Sequence, residues 1–99
     1  MARIIIIEDE QSIRNVLKNI LKDENKNYII DEASNGHDAI EKISSNQYDL
    51  ALCDIKMPKA DGLEVLKRAK DLEYNLPFIM ISGHGDLETA VECIKNGAY

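Results

Sequence analysis

The chain alternates short apolar runs with longer segments whose apolar residues recur at helical spacing. Ile4 to Ile7 form a β-branched run that ends at the acidic residues Glu8, Asp9 and Glu10, as is typical of a strand buried on both faces. The next apolar residues recur at intervals of three and four, which predicts an amphipathic helix: Ile13, Val16, Leu17, Ile20 and Leu21. The chain is therefore predicted to begin with a strand and a helix.

Further along the chain, the same alternation of patterns continues. The predicted strands are Tyr28–Ile30, Leu50–Cys53 with Asp54 at its end, and Phe78–Ile81 with Ser82 at its end. Helical spacing recurs after each of them: Ala39, Ile40 and Ile43, then Leu63, Leu66 and Ala69, then Leu87, Ala90, Val91 and Ile94. Apolar strands separated by helical crossovers predict an α/β fold with a doubly wound parallel sheet. The common small version of this fold, which is flavodoxin-like, leads us to expect the strand order 2-1-3-4 for these segments.

The composition limits the number of domains, the binding partners and the cellular location that can be expected. The chain has 99 residues, 44% hydrophobic and 30% charged, which indicates one globular domain. Its net charge of -6 and the lack of a basic stripe argue against direct nucleic-acid binding. The apolar runs are too short to cross a membrane, so we expect a cytoplasmic protein, with Cys53 and Cys93 as buried, reduced thiols.

Polar residues that could carry chemistry follow the predicted strands. Glu8 and Asp9 follow the first strand, Asp54 ends the third and Ser82 follows the fourth. In the expected strand order the winding reverses between the first and third strands, so these carboxylates should converge. Clustered carboxylates need a proton or a cation, and an open acidic pocket suits Mg²⁺. With Mg²⁺ a carboxylate can act as a nucleophile toward a phosphoryl group, to which the Ser82 hydroxyl could hydrogen-bond.

The motifs at these strand ends resemble a known family. They are Ile7-Glu8-Asp9-Glu10, Asp54-Ile55-Lys56-Met57-Pro58 followed by Asp61-Gly62, and Ile81-Ser82-Gly83. From Arg3 to Tyr99 the chain is similar to the receiver domains of two-component response regulators. The stretch from Ser82 to Val91 further resembles regulators of the nitrogen-regulation, sigma-54-dependent type, in which an ATPase and a DNA-binding domain usually follow.

This resemblance implies a role for each of the matching residues. Asp54 would accept a phosphoryl group from a histidine kinase. Mg²⁺ would be bound by Asp9 directly, by Glu8 through water, by Asp54 and by the backbone carbonyl of Lys56. Ser82 would be the switch hydroxyl that moves toward the phosphoryl group, and the surface of strand four and the next helix would then control a transcriptional output domain. The chain would be a signalling module, not an enzyme.

The sequence departs from the family's pattern at its end. Family members continue with a fifth strand, whose lysine pairs with the phosphoryl group, and a fifth helix, whereas the sequence ends at Tyr99. We therefore interpret residues 1–99 as a C-terminally incomplete receiver domain. In such a domain Phe78–Ile81 would form a sheet edge, which predicts self-association through that strand or marginal stability.

Three alternatives remain open from the sequence. The first is a receiver-like interaction module that is never phosphorylated, which the missing lysine keeps open. A Mg²⁺-dependent phosphatase of the haloacid dehalogenase type also uses an aspartate nucleophile, but it needs a second Asp where this chain has Lys56. A flavodoxin-like module for a nucleotide or flavin phosphate would need a Gly/Ser/Thr-rich loop where Glu8, Asp9 and Glu10 would repel phosphate.

Overall fold

The structure, a computed structural model, describes residues 2–54, 59–72 and 75–81, without the side chains of residues 59–63 and 66. Strands and helices alternate along these ranges as the sequence predicts. The elements are β1 (Arg3–Ile7), α1 (Gln11–Glu24), β2 (Ile29–Ala33), α2 (Gly36–Ser45), β3 (Leu50–Asp54), α3 (Lys59–Lys70) and β4 (Phe78–Ile81). The predictions for Lys56, Ser82, Cys93 and the helix from Leu87 to Ile94 lie outside the described residues.

The strands form one parallel sheet in the order β2-β1-β3-β4, which confirms the predicted fold class and strand order. Ile7 at the end of β1 pairs with Ala33 of β2 on one side and with Cys53 of β3 on the other. Asp54 pairs with Ile81 of β4. Because all strands are parallel, their carboxyl ends meet along one edge of the sheet, where a ligand site is expected.

The side chains of β1 alternate between the two faces of the sheet and divide the core into two layers. All of its isoleucines, Ile4 to Ile7, are fully buried. Ile5 and Ile7 belong to the layer that α2 and α3 cover, which also contains Ala39, Ile43, Ala51, Cys53 and Val65. Ile4 and Ile6 belong to the layer covered by α1, together with Leu17, Leu21, Leu50 and Leu52. Burial on both faces explains why β1 is a continuous apolar run.

Helix α1 is confirmed, but only part of its apolar stripe is buried. Leu17 and Leu21 pack into the core, whereas Ile13 is 39% and Val16 is 55% exposed. Within the described ranges, α1 is the only helix that contributes to its layer of the core. In this part of the chain one helix covers that face of the sheet through a narrow stripe, which leaves the flanking apolar residues of α1 outside the core.

The second strand lies further along the chain than predicted. The prediction placed it at Tyr28–Ile30, and the structure places it at Ile29–Ala33 because the acidic residues Asp31 and Glu32 belong to it. Both carboxylates have cationic partners, Asp31 at 3.2 Å from Arg3 Nη2 and Glu32 in contact with α1. An apolar pattern alone could not reveal the full extent of β2, since this strand is stabilised by ion pairs as well as by burial.

Strand β4 is the last described strand, and it matches its prediction at Phe78–Ile81. It pairs with β3, and the described part of the chain places no strand on its other side. Self-association through this edge therefore remains a prediction. No helix among the described residues is long and apolar enough to span a membrane.

The two environments along α1 predict opposite outcomes for neighbouring truncations. Leu21→Ala removes a fully buried side chain and should lower the free energy of unfolding by about 2–5 kcal/mol, because it leaves a cavity in the core. Val16→Ala, at a position that is 55% exposed, should change that free energy by no more than about 0.5 kcal/mol. Urea denaturation followed by circular dichroism measures both, and equal losses would contradict this assignment of the buried stripe.

Candidate metal centre

Three of the acidic residues predicted to form a site meet at the carboxyl edge of the sheet. Since Ile7 pairs with Cys53, the next residues of these two segments, Glu8 and Asp54, lie side by side at this edge. Asp9 follows in the connection to α1. Carboxylate oxygens of Glu8, Asp9 and Asp54 all lie within 4.8 Å of one another. We call these three residues the acidic cluster; the structure confirms that they converge.

The members of the acidic cluster differ in their exposure to solvent. Glu8 is only 2% exposed, Asp54 is partly buried and Asp9 is exposed. Burial, together with hydrogen bonds between its carboxyl group and those of Asp54 and Asp9, raises the pKa of Glu8 to about 8. Without a cation, Glu8 therefore holds a proton in neutral solution, and this proton reduces the repulsion within the cluster.

The main chain around Glu8 is held by hydrogen bonds on several sides. Its N–H donates to Ala33 O of β2 at 3.0 Å, and its carbonyl accepts a bond of 2.7 Å from Arg14 Nη1. Its carboxylate oxygen Oε2 accepts a bond of 2.8 Å from the N–H of Glu10, the N-cap residue of α1. The backbone that carries the acidic cluster is thus fixed to β2 and to α1.

Sequence reasoning missed Arg14. Its side chain contacts the acidic segment through the Glu8 carbonyl and contacts β2 through Glu32, at 3.1 Å. The sequence did contain an indication of its role: Arg14 is a cation near the N-terminus of α1, where the helix dipole disfavours positive charge. A residue that breaks such a local preference often has a tertiary role.

The donor atoms of the acidic cluster suit a hard divalent cation. All are carboxylate oxygens, the ligands that Mg²⁺ and Ca²⁺ prefer, and Asp9 leaves the cluster open toward solvent. A cation would take the place of the proton on Glu8 and offset the charge of the other two carboxylates. The predicted ligand Lys56 and the predicted switch residue Ser82 lie outside the described residues, so their roles remain predictions.

Cys53 precedes Asp54 and is a free, buried thiol, as the sequence predicts. Burial, followed by the negative charges of Asp54 and Glu8, raises the pKa of this thiol to about 11. The thiol is thus protonated at neutral pH and does not add a charge to the acidic cluster.

The fold and the site together define a flavodoxin-like α/β domain with an acidic cluster where the winding of the sheet reverses. Residues 4–99 match the family described as "Response regulator receiver domain". The chain therefore belongs to the receiver domains of two-component response regulators, as the motifs at its strand ends indicated.

Among proteins of known sequence, the chain is 35% identical over 95 residues to the transcriptional regulatory protein ZraR of Klebsiella oxytoca. That match covers 96% of this chain and 21% of ZraR, so the chain spans about a fifth of this relative's length.

Two solved structures show the same fold. The response regulator TrrA of Thermotoga maritima, in complex with Mg(2+)-BeF, is 34% identical with a TM-score of 0.74, and the match covers 95% of this chain and 80% of that one. TrrA in complex with the histidine kinase ThkA gives a match with 32% identity and a TM-score of 0.70, covering 93% of this chain and 97% of the matched chain.

The raised pKa of Glu8 predicts a pH-dependent stability in the absence of divalent cations. The ordinary pKa of about 4.5 applies to the unfolded chain and about 8 to the folded one, so between these values the folded state binds more protons. The free energy of unfolding should therefore fall as the pH rises from about 5 to about 8. Urea denaturation in EDTA across this range measures the slope.

Glu8→Gln is the matched control for this prediction, because it keeps the shape of the side chain but cannot ionise. Its stability should vary less with pH over the same interval. A wild-type protein whose pH slope equals that of Glu8→Gln would contradict the assignment of this proton to Glu8.

Proposed function

We propose that this chain is a phosphorylation switch in which Asp54 accepts a phosphoryl group from a histidine kinase in the presence of Mg²⁺. The observation that carries the proposal is the convergence of the Glu8, Asp9 and Asp54 carboxylates within 4.8 Å at the switch point of the sheet. Asp54 is the acceptor because it ends a buried strand, which holds its carboxylate in place, while its side chain remains partly accessible.

The other residues of the acidic cluster would hold the cation. In this proposal Asp9 binds Mg²⁺ directly, Glu8 contributes through water, and the Lys56 carbonyl completes the protein ligands. When bound, Mg²⁺ supplies positive charge that offsets the negative charge of the transferring phosphoryl group. Since Glu8 has a raised pKa of about 8, binding the cation at neutral pH should release a proton from the cluster.

The comparisons support the proposed cofactor and partners. One similar response regulator was crystallised with Mg(2+)-BeF, and another matched structure is a complex with a histidine kinase. ZraR, the relative described above, is a transcriptional regulator of which this domain matches 21%. We therefore propose a histidine kinase as the phosphoryl donor and a transcriptional output domain as the recipient of the signal, with Ser82 as the switch hydroxyl.

Replacing the acceptor should abolish phosphorylation. Incubated with acetyl phosphate and Mg²⁺, the wild-type protein should gain the mass of one phosphoryl group, and Asp54→Asn should gain none, since an amide oxygen cannot form the acyl phosphate. Asp49→Asn is the matched control: Asp49 lies at the amino end of the same strand, where it binds the N–H of Arg3 at 2.8 Å, and its replacement should leave phosphate uptake intact. Intact-protein mass spectrometry measures all three.

The same experiment separates the proposal from its main alternative. A wild-type protein that gains no phosphoryl group, with or without Mg²⁺, would favour an interaction module that is not phosphorylated. Phosphate uptake that survives in Asp54→Asn would place the acceptor at another residue.

A further inference from the structure

Arg14 joins the acidic segment after β1 to the neighbouring strand β2. Its Nη1 donates to the carbonyl of Glu8 at 2.7 Å, and its Nε donates to Glu32 Oε1 at 3.1 Å. Only 13% of the Arg14 side chain is exposed. An arginine side chain held this closely is ordered by its contacts, because its planar head donates in fixed directions.

Glu32 fixes Arg14 from the side of β2. Its second carboxylate oxygen accepts a bond of 2.8 Å from Lys18 Nζ, and its backbone carbonyl accepts a hydrogen bond from Lys42 of α2. The hydrogen bond from Lys18 holds the pKa of Glu32 below its usual range. Glu32 is thus an ionised acceptor with a defined position, and it orients the guanidinium group toward Glu8.

The contact with the Glu8 carbonyl bears directly on Asp9. The carbonyl of Glu8 and the backbone nitrogen and Cα of Asp9 belong to one planar peptide unit. The N–H of Glu8 is already bonded to Ala33 O at 3.0 Å. A second bond at the carbonyl therefore limits rotation of this peptide and with it the position from which the Asp9 side chain begins.

From these contacts we infer that Arg14 is a positioning residue of the metal centre, which orients the Glu8–Asp9 peptide so that both carboxylates reach one cation together with Asp54. This inference rests on the proposed function in that it takes the acidic cluster to bind Mg²⁺. Arg14 does not touch the cation or the phosphoryl group; it acts through the main chain of Glu8. Glu32 in turn holds Arg14 in place.

Loss of charge and loss of positioning predict opposite changes in the affinity for Mg²⁺. Removing a cation near an acidic cluster should strengthen the binding of a divalent ion if charge alone matters. Loss of positioning should weaken it, roughly 10-fold to 100-fold, as is typical when a partner that orients metal ligands is removed. Weaker binding is therefore a result that neither loss of charge nor an inert surface role would produce.

The experiment compares three variants of the intact protein by calorimetric titration with Mg²⁺. Arg14→Met keeps much of the aliphatic stem and removes the donors. Arg3→Met removes another arginine–carboxylate pair, Arg3 with Asp31 at 3.2 Å, at the amino ends of the strands. Lys22→Met removes a cation from the last turn of α1, where it donates to the carbonyl of Tyr28 at the other end of the helix from the acidic cluster. We expect weaker Mg²⁺ binding in Arg14→Met and near wild-type binding in both controls.

A second measurement does not depend on the cation. In EDTA, hydrogen exchange at the N–H of Glu10, which donates to Glu8 Oε2 at 2.8 Å, should be faster in Arg14→Met than in Arg3→Met. Unchanged or tighter Mg²⁺ binding by Arg14→Met would overturn the inference, as would an equal loss in Arg3→Met or in Lys22→Met. These outcomes leave phosphate uptake by the wild-type protein untouched, so failure of this inference is distinguishable from failure of the proposed function.

Discussion

Repulsion among the acidic cluster is the constraint on which the organisation of this domain depends. Parallel pairing of β1 with β3 places Glu8 next to Asp54, and Asp9 follows at once, so that their oxygens lie within 4.8 Å. Three negative charges at such distances are unfavourable, particularly around a carboxyl group that is almost fully buried. The folded chain relieves this repulsion with a proton on Glu8, whose pKa is raised by burial, and a cation can take the place of that proton.

The rest of the fold supplies the stability that this arrangement needs. Strand β1 lies in the middle of the sheet, and its isoleucines, Ile4 to Ile7, are fully buried between α1 on one face and α2 and α3 on the other. Burying side chains of this size stabilises the folded state by roughly 1.5–3 kcal/mol each. The most deeply buried strand is therefore followed directly by Glu8 and Asp9, whose mutual repulsion opposes folding. At its end, the Glu8 N–H donates to the Ala33 carbonyl and the Glu8 carbonyl accepts from Arg14, and these bonds continue the support into the connection with α1.

The fold and the acidic cluster could be predicted because both follow from local patterns. An apolar run that stops at an acidic residue marks a buried strand and its end, and parallel strands bring their ends to the same edge. Other features depend on contacts between distant residues. The extent of β2 was missed because Asp31 and Glu32 are stabilised by Arg3 and by α1. The exposure of Val16 could not be read from spacing, since spacing gives a helix face and not the width of the surface that covers it.

The protonated state of Cys53 has a consequence for how this domain responds to oxidants. Thiol oxidation and alkylation proceed through the thiolate, and a pKa of about 11 leaves almost none of it at neutral pH. The sulfur also lies in the layer of the core covered by α2 and α3, out of reach of solvent. The residue immediately before the proposed phosphoryl acceptor is thus unreactive toward peroxides and disulfides, so oxidation at Cys53 should not disturb the carboxylate beside it.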